Sequence, residues 1–170
     1  MMILRELVLS DEFESLLADQ ELAAEGHDGF LLREPDELDN FAKYLQRRID
    51  YKNNVNLRTH HVGETFWVAV VDDQIAGRIS IRHELNEFLL NFGGHIGYMV
   101  RPAFRRTGVA TKMLDSAINH CRTLGLPQVL LTCNDDNLGS IKVIEGRGGV
   151  LENVVQKDGV PLRRYWIPVN

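Results

Sequence analysis

His95-Ile96-Gly97-Tyr98-Met99-Val100-Arg101-Pro102-Ala103-Phe104-Arg105-Arg106-Thr107-Gly108-Val109-Ala110 is the stretch that decides how this chain is read. Its first part, His95 to Val100, is a short strand stopped by Pro102, which has no N–H for a ladder. A turn with two arginines follows, and then a glycine opens the clearest helical pattern in the chain. From Thr107 to Leu124, the residues Ala110, Met113, Leu114, Ala117, Cys121 and Leu124 fall on one stripe. Lys112, Asp115, Asn119 and Arg122 fall opposite, and Gly125 and Pro127 close the helix. The first turn of a helix carries unpaired N–H groups and the positive end of the macrodipole. Gly108 lets a diphosphate approach that backbone, Ala110 keeps the helix face low, and Arg105 and Arg106 add positive charge. The segment is physically sufficient as an anion site. On spacing alone, an ordinary strand-to-helix connection with solvated arginines stays equally open. A P-loop is excluded because no Gly-Lys-Ser/Thr follows, and a dinucleotide fingerprint because only one glycine stands where three are needed.

Working outward, the pattern predicts a strand over Ile3 to Leu9 and a helix capped by Ser10 or Asp11 that runs to about Glu25. Phe13, Leu16 and Leu17, with Gln20 or Leu22, mark its inner side, and Gly26 ends it. A second helix is expected from Pro35-Asp36, with Leu38, Phe41, Ala42, Leu45 and Ile49 at helical spacing. Tyr51 to Val62 reads as a polar loop; its His60-His61 pair lacks the spacing to converge on one metal ion. Phe66 to Val71 and Gln74 to Arg82 form a hairpin around Asp72-Asp73. After the Gly93-Gly94 turn and the decisive stretch come a strand over Val129 to Thr132 and a helix over Asn137 to Glu145, with Gly148-Gly149 as its exit. Two last strands, Val150 to Val155 and Leu162 to Ile167, are joined at Lys157-Asp158-Gly159. The order is βαα, a meander, then βαβαββ. Hairpins precede crossovers, so the expected fold is α/β (α+β), a mixed central sheet flanked by helices on both faces.

The 170 residues fit one domain better than two. A net charge of −5 argues against general attraction to nucleic acid or an anionic membrane, while leaving small anionic ligands open. Cys121 and Cys133 have neither CxxC nor Cys/His metal spacing, so no metal is expected, and two reduced, packed thiols point to a reducing compartment. The start, Met1-Met2-Ile3-Leu4-Arg5-Glu6, has no signal-peptide pattern, and no run approaches the ~18 apolar residues of a membrane span. A cytoplasmic location is expected.

The run Val100-x-Pro102-x-x-Arg105-Arg106-x-Gly108-x-Ala110 resembles motif A of the GNAT acetyltransferase superfamily, with its Gln/Arg-x-x-Gly-x-Gly/Ala signature. Asn137-x-x-Ser140-x-x-Val143-Ile144-Glu145, followed by Gly148-Gly149, is similar to motif B. The two motifs stand in order at the usual separation, and the resemblance covers nearly the whole chain. It implies a mostly antiparallel sheet of about seven strands and N-acetyl transfer from acetyl-CoA, as co-substrate, to a small-molecule or peptide amine. It implies that the backbone of Met99 and Val100 meets the pantetheine arm, and that the amides of Arg105, Arg106, Thr107, Gly108, Val109 and Ala110, with Thr111, hold the pyrophosphate. Asn137 would contact the pantetheine, with Ser140 close by. Related domains often pair, which leaves a homodimer open.

Transfer needs a neutral amine, and a lysine-like amine has a reference pKa near ~10.4, so a proton acceptor is sought. His95 stands where relatives often carry a glutamate, and His83-Glu84 ends the preceding strand; these three are the candidate bases. Many relatives place an acidic tyrosine in motif B, where this chain has Ile144. That departure keeps a second reading open, a coenzyme A-binding module without turnover. A third, a nucleotide-binding protein using the same helix start, is disfavoured by the missing Gly-Lys-Ser/Thr.

Overall fold

The computed structural model describes residues 1–169. Seven strands form one sheet in the order β1-β2-β3-β4-β5-β7-β6: β1 (Met2–Arg5), β2 (Glu64–Val71), β3 (Gln74–Arg82), β4 (Ile96–Val100), β5 (Gln128–Asn134), β6 (Val150–Lys157) and β7 (Val160–Pro168). Every neighbouring pair is antiparallel except β4 and β5, which run parallel and meet at one pair only, Ile96 opposite Leu131. Beyond that pair the two strands part, and the edge of β4 that faces β5 has no ladder. The sheet is therefore mixed and mostly antiparallel, with a wedge opened at its centre.

Four helices cover the sheet: α1 (Glu12–Ala24), α2 (Phe41–Lys52), α3 (Val109–Thr123) and α4 (Leu138–Glu145). On one face, Met113, Leu114, Ala117 and Cys121 of α3 and Ile144 of α4 bury against Ile79, Ile81, Ile96, Leu131 and Ile167. On the other face, Ala18 and Leu22 of α1 and Phe41 and Tyr44 of α2 pack on Phe66, Val68 and Ile75.

The first third departs from the pattern reading. β1 stops at Arg5 because the Asp11 carboxylate takes the Val8 N–H at 2.8 Å and the Arg5 guanidinium at 2.6 and 2.8 Å, which turns the chain off the sheet. In α1 the buried line is Ser15, Ala18 and Leu22, and Phe13 is 76% exposed. Pro35–Glu37 is a separate 3-10 turn, and α2 starts only at Phe41, where the Asn40 side chain caps the Lys43 N–H at 2.9 Å. Leu38 and Ile49 consequently face solvent. The helix runs on through Tyr51, which is fully buried and not part of a loop. Before β4 the chain makes a π-helical turn, Leu89–Gly93. Gly94 then adopts φ +68°, and any side chain there would meet the Leu130 carbonyl at 2.6 Å. Only glycine permits that approach of backbone to backbone.

Candidate functional site

The wedge between β4 and β5 continues into a cleft of about 680 Å³ that ends at the start of α3. Met99, Val100, Arg105, Arg106, Gly108, Val109, Ala110, Thr111, Asn137 and Ser140 all line it, so one surface gathers residues from both sequence motifs. Thr107 lies in the same turn without lining the cleft, and its Oγ1 donates to the Phe104 carbonyl at 2.6 Å. Tyr98 also lines it.

The turn is shaped for an anion. Arg106 has φ +62° and Gly108 φ +87°, left-handed values that swing successive amides to one side. The first helical backbone bond is Lys112 N–H to the Gly108 carbonyl, and none of the N–H groups from Arg106 to Thr111 has a hydrogen-bond partner among the described residues. The space above Gly108 is open, with nothing within 4 Å of where a Cβ would sit. A Cβ there would fill the cradle and strain the backbone. The two arginines divide the work. Arg105 reaches back to Glu25 at 2.5 and 3.1 Å and to the Val100 carbonyl at 3.2 Å. Among the described residues Arg106 has no ion-pair or hydrogen-bond partner, which keeps its charge available to a ligand. Asn137 caps α4 through Oδ1, which accepts the Ser140 N–H at 3.0 Å and leaves its amide nitrogen free to donate. Unpartnered amides, an open glycine and a free guanidinium suit a diphosphate, and the laddered-on-one-side edge of β4 suits an amide-bearing arm.

The residues expected to act as base are placed elsewhere. His95 is 6% exposed and lines neither this cleft nor the pocket described below; its Nδ1 accepts the Leu130 N–H at 2.9 Å, so the ring proton resides on Nε2 and no lone pair is left. Burial, reinforced by the Arg82 charge, holds its pKa down at about 4. This ring fastens β4 to β5 at the point where they part. His83 turns to the α3 face, where its Nε2 pairs with Thr65 Oγ1 at 2.9 Å, beside His120 at 3.2 Å from the same hydroxyl. Burial lowers its pKa. Glu84 is exposed in the turn after β3 and lines neither the cleft nor the pocket described below. Ile144 is buried at the place of the family tyrosine, directly beneath Gly149. Tyr165 is engaged too, donating to Glu145 at 2.9 Å and accepting from Arg163 at 3.2 Å. Tyr98 is different: its buried hydroxyl has no hydrogen-bond partner, and burial pushes its pKa up to about 12 even with Ser140 close by.

A second cavity, of about 220 Å³, opens on the α2 face. Sequence reasoning missed it, because its walls come from positions 32 to 89 with no local motif. Leu32, Glu34, Arg48, Glu64, Arg82 and Leu89 are among its lining residues. Among the described residues no cluster of His, Cys, Asp and Glu is arranged for a metal ion, and no helix is long and apolar enough to cross a membrane.

The acetyltransferase (GNAT) domain model matches residues 2–150, most of the chain. The chain belongs to the GNAT acetyltransferase family. Solved structures agree in fold. The GNAT protein resembles yncA of Salmonella typhimurium, solved with its cofactor acetyl-CoA, at 15% identity over 99% of this chain and 94% of that one, TM-score 0.67. It resembles a Salmonella typhimurium acetyltransferase that modifies the N-terminal serine of ribosomal protein L7/L12, at 17% identity over 99% and 95%, TM-score 0.71. A chimera of the Vibrio cholerae spermidine N-acetyltransferase SpeG gives 18% identity over 99% and 96%, TM-score 0.66. A search of curated proteins finds no match.

Proposed function

We propose that this GNAT domain is an N-acetyltransferase that moves an acetyl group from acetyl-CoA to a primary amine by direct attack in a ternary complex. The observation that carries the reading is the run of unpartnered amides from Arg106 to Thr111, opening onto a cleft along the free edge of β4. In this reading those amides and Arg106 hold the diphosphate. The backbone of Met99 and Val100, with Asn137, aligns the pantetheine arm beside Ser140. Acetyl-CoA, when bound, supplies an activated thioester.

The chain's own groups handle charge and protons. As the C–N bond forms and the C–S bond breaks, the electron pair goes to sulfur. The Tyr98 hydroxyl donates a hydrogen bond to that developing thiolate; its raised pKa keeps the donor protonated throughout the neutral range. The sulfur then takes its proton from solvent. On the acceptor side, Arg48, Arg78 and Arg82 lie along the opposite face and disfavour an ammonium by like-charge repulsion. The amine thus sheds its proton to water in the open pocket without a strong base beside it. Two free buried thiols, Cys121 and Cys133, support a reducing, cytoplasmic setting.

Thermal shift with acetyl-CoA, coenzyme A and ATP, together with thiol release over an amine panel, tests the reading. Stabilisation by the first two and acetyl-dependent thiol release are expected. Ile144, which cannot donate, favours the second reading, a coenzyme A-binding module. Stabilisation by coenzyme A with no thiol release from any amine would establish that alternative.

A further inference from the structure

The α2-face pocket holds more positive charge than the fold can use. Arg47 is matched, since its guanidinium pairs with the fully buried Glu37 carboxylate. Three other guanidiniums surround a single carboxylate, Glu64. Arg48 is 9% exposed and lies 3.4 Å from Glu64 Oε1, but Arg48 Nε and Nη1 and Glu64 Oε1 make no hydrogen bond. Arg82 sits opposite Glu64 across the β2–β3 ladder. Arg78, behind them, is 6% exposed with Nε unpartnered. Burial and the Arg82 charge lower its pKa to about 10. At the rim, Glu34 is taken up by His61 at 3.7 Å and Arg58 at 4.0 Å. Unmatched buried cations are costly, and the Arg48 donors left unpaired in the pocket wall suit an anion.

Position narrows the anion's identity. A side chain at Gly97 would meet Arg82 Nη1 at 3.1 Å, so this guanidinium lies against β4 one residue from Tyr98, which lines the cofactor cleft. A group held by Arg82 therefore lies against β4 on the opposite face of the strand from the Tyr98 side chain, where the wedge between β4 and β5 opens the sheet. Leu32, Val62, Phe88 and Leu89 give the pocket apolar walls beside the polar His60, His61 and Asn86, and its volume of about 220 Å³ equals about seven waters at ~30 Å³ each. We propose that this pocket binds the acceptor through a carboxylate on Arg48 and Arg82, making the substrate a free amino acid with an apolar side chain. The amine is then one carbon from the anchored carboxylate and faces β4. A polycation would meet the guanidiniums of Arg47, Arg48 and Arg82 instead.

This inference rests on the acetyl-transfer reading, and the test separates the two. Thiol release is compared for L-leucine, L-methionine and L-phenylalanine against isopentylamine, 3-(methylthio)propylamine and phenethylamine, with spermidine alongside. The amino acids are expected to exceed their decarboxylated partners by about 10- to 100-fold in kcat/KM, the size of a lost charge-assisted bond. Arg82→Gln is expected to erase that ratio, and Arg82→Lys to restore part of it, with the acetyl-CoA thermal shift unchanged. Equal or better rates for the amines or spermidine overturn the carboxylate anchor while sparing acetyl transfer. If nothing is acetylated, the transfer reading fails. Calorimetric titration of L-leucine and isopentylamine, with coenzyme A present, then decides the pocket: binding of the amino acid alone supports the anchor, and any other result overturns it.

Discussion

The two cavities of this GNAT domain handle charge in opposite ways. The 680 Å³ cleft presents backbone dipoles, N–H groups freed by the left-handed turn at Arg106 and Gly108. The 220 Å³ pocket presents full charges on side chains, with three guanidiniums held around Glu64. Backbone dipoles cost less to bury than full charges and survive many side-chain changes. A built charge cluster is sensitive to every member. Structural neighbours of the same fold differ in acceptor: one modifies the N-terminal serine of a ribosomal protein and another is a spermidine N-acetyltransferase.

The largest expected break falls on the dipole side. Gly108→Asp places a Cβ and a negative charge in the cradle, and is expected to lower coenzyme A affinity by 100-fold or more in calorimetry. The left-handed backbone costs only about 1 kcal/mol of stability, because Asp tolerates it. Next comes Tyr98→Phe, expected to reduce kcat by about 100-fold while leaving the acetyl-CoA thermal shift intact. An unchanged kcat would remove Tyr98 as the hydrogen-bond donor to the developing thiolate. The paired arginines sharpen the comparison at smaller scale. Arg106→Ala is expected to weaken coenzyme A by about 5- to 10-fold, and Arg105→Ala by less, because Arg105 is already committed to Glu25. The smallest effect concerns the seam between β4 and β5. His95 has a folded pKa of about 4 against an ordinary 6.5, so below 6.5 the unfolded chain binds the extra proton. Stability contributed by His95 is present above pH 6.5 and is lost as pH falls toward 4. His95→Gln should flatten that part of a Tm-against-pH curve.

What could be read in the sequence follows the same division. The Arg-Arg-Thr-Gly turn, the α3 stripe and the helix ending at Glu145 are local patterns, and periodicity or a single glycine reveals them. The closing hairpin at Asp158-Gly159 was legible for the same reason. The α2-face pocket joins Leu32, Arg48, Glu64 and Arg82, which meet only through tertiary packing, so no window of sequence contains it. His95 misled because a histidine at a strand start looks the same whether its ring faces a substrate or takes the Leu130 amide. Phe13, Leu38 and Ile49 misled in another way: helical spacing is present, but the helices are seated by Ala18, Leu22 and Tyr44. Tyr51 was hidden by polar neighbours although it closes the core beneath Arg48, whose guanidinium lies 5.4 Å from its ring.

Whether the start of α3 grips the diphosphate is open to a direct reading by amide NMR. Titration of ¹⁵N-labelled protein with coenzyme A should shift the resonances of Arg106 to Thr111 saturably and together. Pantetheine, which lacks the diphosphate, should leave those resonances in place while perturbing Met99 and Val100. Saturating coenzyme A that leaves the Arg106–Thr111 amides unmoved would contradict the assignment.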